Sequence, residues 1–161
     1  MFRYNLKGPH IVTLEQELQH IKYYIYIMEL RFNHLFQAKY QIDETLLRYK
    51  TVKFSLQPFI ENAILHGIDM KEKNGEIILR AKLEQDRLRL FVIDNGRGMT
   101  KEQIDTLLHS KAKKTNGLSA IGVPNIKERL ELYYGDKGGM VYQSSKNGTT
   151  VEIFLPAKKE L

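Results

Sequence analysis

Two short stretches carry the residue types from which a nucleotide site could be built. The first is Gln57-Pro58-Phe59-Ile60-Glu61-Asn62-Ala63-Ile64-Leu65-His66-Gly67, where an Asn and a His sit four apart in a mostly apolar run. That spacing puts both on one helical face, with Glu61 about 100° away round the helix. A side-chain amide offers an acceptor oxygen, and a hard cation such as Mg²⁺ takes amide and phosphate oxygens together. The plainer reading has Asn62 bonding a neighbouring loop and His66 near a helix end, where the macrodipole favours it. The second stretch is Asp94-Asn95-Gly96-Arg97-Gly98-Met99. A carboxylate closing a strand can accept from the exocyclic amine of a base, and glycines let the backbone approach a planar ligand closely. Its plainer reading is an Asn-Gly turn, but the residues that follow are patterned as helix rather than as a returning strand.

Two weaker signals lie downstream. Gly117-Leu118-Ser119-Ala120-Ile121-Gly122-Val123-Pro124-Asn125 leads into a helix, where small residues could present N–H groups to phosphates. It is not a P-loop, since no Gly-Lys-Ser/Thr follows. Thr149 and Thr150 follow Asn147-Gly148. A strand Thr usually reflects β-propensity, although a hydroxyl on the inner face could bond a purine.

The elements that must position these residues are legible from periodicity. Thr13 with Gln16 makes a capping box. Leu14, Leu18, Ile21, Ile25 and Met28 then form one helical stripe, widened by Tyr24 and Ile27. Residues 34–42 are expected as a strand anchored by Leu35, Tyr40 and Ile42. Residues 54–68 are expected as a helix regular from about Gln57, since Pro58 suits a first turn, and ending at Gly67. Residues 76–84 and 87–93 flank Gln85-Asp86 as a hairpin, with Ile77, Leu79, Ala81 and Leu83 facing one way and Leu88, Leu90 and Val92 matching them. Thr100 and Gln103 cap a short helix over 100–108. Residues 110–120 are expected as a mobile loop, 121–134 as a helix, and 139–145 with 149–155 as a hairpin around Asn147-Gly148. Paired strands exclude a purely alternating βαβ order. The expected fold is α+β, a two-layer sandwich of a mixed, mostly antiparallel sheet with helices on one face.

Bulk properties narrow the classes. The 161 residues suffice for one domain with a substantial core. There is no cysteine, so disulfides and thiolate metal sites are excluded. No apolar run reaches the roughly 18 residues needed to span a bilayer, and the first residues lack the apolar stretch of a signal peptide; the sequence reads as intracellular and soluble. The net charge of +6 favours anionic partners. It is spread, with its densest cluster at Lys111, Lys113 and Lys114, and aromatics do not interleave with basic residues as a single-strand nucleic-acid surface requires. No nucleic-acid partner is expected.

Taken together, the four segments resemble the GHKL superfamily of ATP-binding domains, which includes gyrase B, heat-shock chaperone ATPases, histidine kinases and MutL. The wording of 56–67, of Val12-Thr13-Leu14-Glu15-Gln16-Glu17-Leu18 and of 125–135 is similar to sensor histidine kinases of the LytS/YesM type. The resemblance runs over almost the whole chain, with residues 1–12 as the junction to a phosphoacceptor region and 13–161 as the ATP-binding domain. It implies ATP and Mg²⁺ as cofactors. Asn62 would be the metal ligand and Asp94 the adenine anchor. Gly96, Gly98 and Met99 would line the base, Ile121 and Gly122 would hold the phosphates, and Thr150 would lie near the purine. His66 would be close to the nucleotide, with Glu61 polarising water or orienting a partner.

Two departures bear on activity. Ala120 stands where the family often has Gly. Pro58, one turn before Asn62, stands where hydrolysing and serine-phosphorylating relatives keep a Glu base. The resemblance therefore implies a kinase whose acceptor imidazole is itself the nucleophile. None of His10, His20, His34, His66 and His109 has the Pro-His-Phe-Leu-Phe-Asn type of context used for phosphorylation. The acceptor is expected on a separate dimerisation segment, with a response regulator downstream and this chain as the cytoplasmic part of a membrane-anchored homodimer. The alternatives are an anti-sigma-factor-like serine kinase, which the missing Glu opposes, and a non-catalytic protein or nucleic-acid interaction module with a degraded pocket.

Overall fold

A computed structural model describes residues 11–68, 74–109 and 123–160. The elements, in chain order, are β1 (Ile11–Thr13), α1 (Leu14–Arg31), β2 (Phe36–Gln41), β3 (Lys50–Val52), α2 (Gln57–Asn62), β4 (Gly75–Glu84), β5 (Arg87–Asp94), α3 (Lys101–His109), α4 (Val123–Tyr134), β6 (Gly139–Ser145) and β7 (Gly148–Pro156). Five strands make the main sheet in the order β2-β4-β5-β7-β6. Every neighbouring pair is antiparallel except β2 with β4. This is the mixed, mostly antiparallel sheet expected from the paired strands.

One face of the sheet makes the core. Ile77, Leu79 and Ala81 of β4, Leu88, Leu90 and Val92 of β5, and Val151, Ile153 and Leu155 of β7 are all buried. They alternate with exposed or half-buried residues, as a strand with one covered face requires. Against them pack Ile126 and Leu130 of α4, Phe59 and Ile60 of α2, and the α1 stripe of Leu14, Leu18, Ile21, Ile25 and Met28. Each such side chain contributes about 1.5–3 kcal/mol by leaving water. On the far side of α1, Tyr23, Tyr26, Ile27 and Leu30 are exposed, so the widening of the stripe by Ile27 does not reach the core.

Both capping boxes form. Thr13 and Gln16 exchange bonds of 3.1 and 3.2 Å, and Thr100 and Gln103 bonds of 2.9 and 3.2 Å. Three expectations change. Ile11 and Val12 are not outside the domain, because β1 pairs antiparallel with β3. Both strands are three residues long, too short to show a period. In β2 the inward anchors are Phe36 and Ala38 rather than Leu35, Ile42 packs against the core from just past the end of the strand, and Tyr40 is exposed beneath the Lys22 ammonium. The helix expected over 54–68 is regular only for α2; over Ala63–Gly67 it widens into a π turn, closed by the Ile68 N–H donating to the Ala63 carbonyl at 2.8 Å. The loop expected over 110–120 and the first two residues of the 121–134 helix lie outside the described residues.

Candidate functional site

The turn before α2 is set from two other helices. Phe54 has φ +60°, an unfavourable conformation for a residue with a side chain. Its N–H donates to Glu17 Oε2 at 2.9 Å and the Leu56 N–H donates to Glu17 Oε1 at 3.2 Å. From α4, Arg129 Nη1 donates to the Lys53 carbonyl at 2.7 Å. Glu17 is buried, and burial pushes its carboxyl above the usual range against the pull of these two N–H groups, His20 and Arg129. Gln57 then links α1 to α2. Its Oε1 lies 2.8 Å from His20 Nε2, and its Nε2 donates to Glu61 Oε1 at 2.9 Å.

The π turn brings the end of the α2 segment onto the loop after β5. The Arg97 N–H donates to the Gly67 carbonyl at 3.0 Å, and Arg97 Nε to the His66 carbonyl at 2.8 Å. A Cβ on Gly96 would stand 2.1 Å from the Gly67 oxygen. Gly98, at φ +73°, meets the β6–β7 hairpin so closely that a Cβ would stand 1.8 Å from the Ser145 oxygen. The Met99 N–H donates to Ser144 Oγ at 2.7 Å, and Ser144 Oγ lies 2.8 Å from Thr149 Oγ1. Three segments distant in sequence are thus joined, by main-chain contacts together with the Arg97 side chain and the Ser144 hydroxyl.

Between them lies a cavity of about 810 Å³. Asn62 and His66 line it from the α2 segment, Asp94, Arg97, Gly98 and Met99 from the β5 loop, Gln103 and Thr106 from α3, and Tyr142, Lys146 and Thr149 from the hairpin. The Asp94 Oδ1 accepts from the Gly96 N–H at 2.9 Å. Burial raises its pKa, against the backbone N–H groups of Gly96 and Thr149. A carboxylate so placed is stabilised by any further donor arriving from the cavity.

Asn62, His66, Asp94, Gly98 and Met99 therefore share one cavity. Gly96 does not line it and instead lets the Gly67 carbonyl approach. Glu61 does not line it either, since its carboxylate is turned to Gln57. Thr149 lines the cavity and Thr150 does not: in register with Asp94 across β5–β7, Thr149 is buried on the inner face, whereas Thr150 pairs with Ile93 on the other. The alternation of Val151, Ile153 and Leu155 carried that signal. Ile121 and Gly122 lie outside the described residues. Lys146 and Tyr142 had no motif to mark them, and Arg97, though inside the 94–99 stretch, carried no expected role.

No group of three or more His, Asp or Glu side chains able to hold a metal ion is found among the described residues. The donor set fits Mg²⁺ only as an ion held mainly by substrate phosphates and water, with the Asn62 amide oxygen as a protein ligand.

Residues 51–159 match the family described as histidine kinase-, DNA gyrase B- and HSP90-like ATPase. The chain belongs to this ATPase family. Residues 1–36 also match a family described as histidine kinase. Among curated proteins, Sensor protein LytS of Staphylococcus epidermidis is 32% identical over 98% of this chain, and that of Streptococcus agalactiae 32% identical over 96%. The chain spans only about 27% of the length of either relative. The catalytic domain of histidine kinase ThkA has the same fold, with a TM-score of 0.65 at 15% identity over 91% of this chain and 93% of that one. So does the histidine kinase domain of the Erythrobacter litoralis blue-light activated kinase, with a TM-score of 0.58 at 18% identity over 90% of this chain and 61% of that one. As a member of this ATPase family the chain binds nucleotide.

Proposed function

We propose that this chain is the catalytic part of a sensor histidine kinase, which moves the γ-phosphoryl of ATP to a histidine on a separate phosphoacceptor segment. The observation that carries this is the meeting of Asn62 and Asp94 on facing walls of one cavity. Asp94 accepts from the exocyclic amine of adenine, and Thr149 stands beside it. The Asn62 amide oxygen would be the protein ligand at the phosphate end, where bound Mg²⁺ would neutralise charge on the transferring group. In the reaction the bond from the γ-phosphorus to the β–γ bridging oxygen breaks, a bond from the acceptor imidazole nitrogen to phosphorus forms, and ADP leaves. Among the described residues Asp94 is the only carboxylate that lines the cavity, and this reading gives it to the base. Position 58 is a buried Pro, and Glu61 is engaged by Gln57. That favours an acceptor bringing its own nucleophile over hydrolysis or serine phosphorylation.

The partners follow from the same reading. The acceptor segment would belong to a dimeric, membrane-anchored parent with this domain on the cytoplasmic side. No helix among the described residues is long and apolar enough to cross a membrane. A response regulator would take the phosphoryl next. The ThkA kinase has been solved in complex with the response regulator TrrA, and its fold matches this one with a TM-score of 0.65. Calorimetric titration of the chain with ADP and Mg-ATP tests the site. Asp94→Asn should weaken binding at least about tenfold, the range of a hydrogen bond to a charged group; unchanged affinity overturns the assignment.

A further inference from the structure

The inner face of the sheet presents two successive rows to the cavity. The upper row is Asp94, Thr149 and Ser144, aligned across β5, β7 and β6, and the lower row is Val92, Val151 and Tyr142. Rows on one face are about 6.5–7 Å apart along the strands, a distance that a tyrosine side chain spans. The polar groups of the upper row have protein partners: Asp94 takes the Gly96 N–H, and the two hydroxyls take each other and the Met99 N–H. The lower row is apolar apart from the Tyr142 phenol. Its ring lines the cavity and meets Phe59 edge-on, with centroids 5.9 Å apart. Its hydroxyl oxygen is buried and has no hydrogen-bond partner among the described residues. A buried orphan of this kind is destabilising unless something arrives to satisfy it. Burial also pushes the phenol pKa up, so the group remains a neutral donor at any ordinary pH.

We propose that Tyr142 is a second reader of the nucleotide base: its hydroxyl, closed to solvent in this structure, turns out with the ring as the base arrives and donates to a purine ring nitrogen directly or through one water held under the base. The proposal rests on the nucleotide reading of this cavity and adds a specificity residue to it. Asp94 accepts, and can select only a base that carries a hydrogen donor. Tyr142 donates, and selects for a ring acceptor. Together they distinguish a purine from a flat surface of the same size.

The test is Tyr142→Phe in the full chain, which removes one oxygen and keeps the ring against Phe59. ADP affinity should fall about fivefold to tenfold, the loss expected for one hydrogen bond. The thermal midpoint of the nucleotide-free protein should hold or rise, because an unpartnered buried hydroxyl has gone. In the set of 1-, 3- and 7-deaza-ADP, at least one analogue should bind the wild type and Tyr142→Phe equally. Equal ADP affinity in the two proteins overturns the proposal. So does a lower midpoint without nucleotide, which would mean that the hydroxyl is already bonded within the fold. So does a weakening that persists unchanged for all three analogues. Asp94→Asn measured alongside separates the two levels: loss of ADP binding there with no effect at Tyr142 leaves the site standing and removes only the second reader.

Discussion

Replacing Glu17 should loosen the nucleotide site from a distance. Glu17 is 2% exposed, and each of its oxygens accepts a main-chain N–H from the turn that launches α2. Glu17→Ala leaves the N–H groups of Phe54 and Leu56 buried and unpaired, at about 1–3 kcal/mol each. It also withdraws the negative charge that favours the half-buried Arg129 guanidinium. We expect a total loss of about 3–5 kcal/mol, a large part of the roughly 5–15 kcal/mol that holds a domain of this size. Glu17→Gln keeps one acceptor and turns an amine toward the other N–H, so about half that loss is expected. Urea unfolding followed by far-ultraviolet circular dichroism measures both, with an unchanged slope showing that the unfolding unit is the same. ADP affinity should fall in the same order, since Asn62 ends α2 and His66 follows in the π turn that α2 launches. Equal stabilities for the Ala and Gln variants, or a loss below about 1 kcal/mol for Ala, would refute the argument that this carboxylate holds the turn.

Other outcomes follow from single contacts. Gly98→Ala should destabilise the fold by more than about 2 kcal/mol and abolish nucleotide binding, because a Cβ there would stand 1.8 Å from the Ser145 oxygen at φ +73°. Gly135→Ala, at φ +57° with no atom within 4 Å of the added carbon, should cost only the left-handed strain of about 1 kcal/mol; parallel thermal melts compare the two. The Asp94 carboxyl titrates above its unfolded value of 3.8. Its contribution to stability is therefore present at low pH and is lost as pH rises through the raised folded value. Asp94→Asn should flatten the pH dependence of the nucleotide-free midpoint above pH 4, and a parallel wild-type and variant profile would contradict this. Incubation with γ-labelled Mg-ATP should leave no acid-labile label on the chain itself, since none of its five histidines has an acceptor context.

What the sequence reveals and what it conceals follow physical lines. The α1 stripe and the 76–94 hairpin were legible because each buries one face at its own period. β1 and β3, at three residues each, are held by each other and leave no periodic trace. The register of β7 was available from Val151, Ile153 and Leu155, and would have chosen Thr149 over Thr150. Gly96 and Gly98 were recognised as necessary, but for their approach to a ligand, whereas the close approach of Gly96 is to the Gly67 carbonyl. Glu17 gave no sign of its function, because in sequence it is one more acidic residue in the first turn of a helix. Its role appears only when residues 54–56, nearly 40 positions on, are folded beneath it.

The closest approaches at Gly96 and Gly98 are to peptide groups, the Gly67 and Ser145 carbonyl oxygens. The spacing between the two walls is thereby separated from their chemistry. Residues that face the cavity, such as Tyr142, Gln103 and Lys146, can be exchanged over generations, retuning which nucleotide is favoured and how tightly, without moving the frame that holds Asn62 opposite Asp94. The same separation suits deliberate redesign: a library confined to cavity-facing side chains should yield mostly folded proteins, and one that touches Gly96 or Gly98 should not.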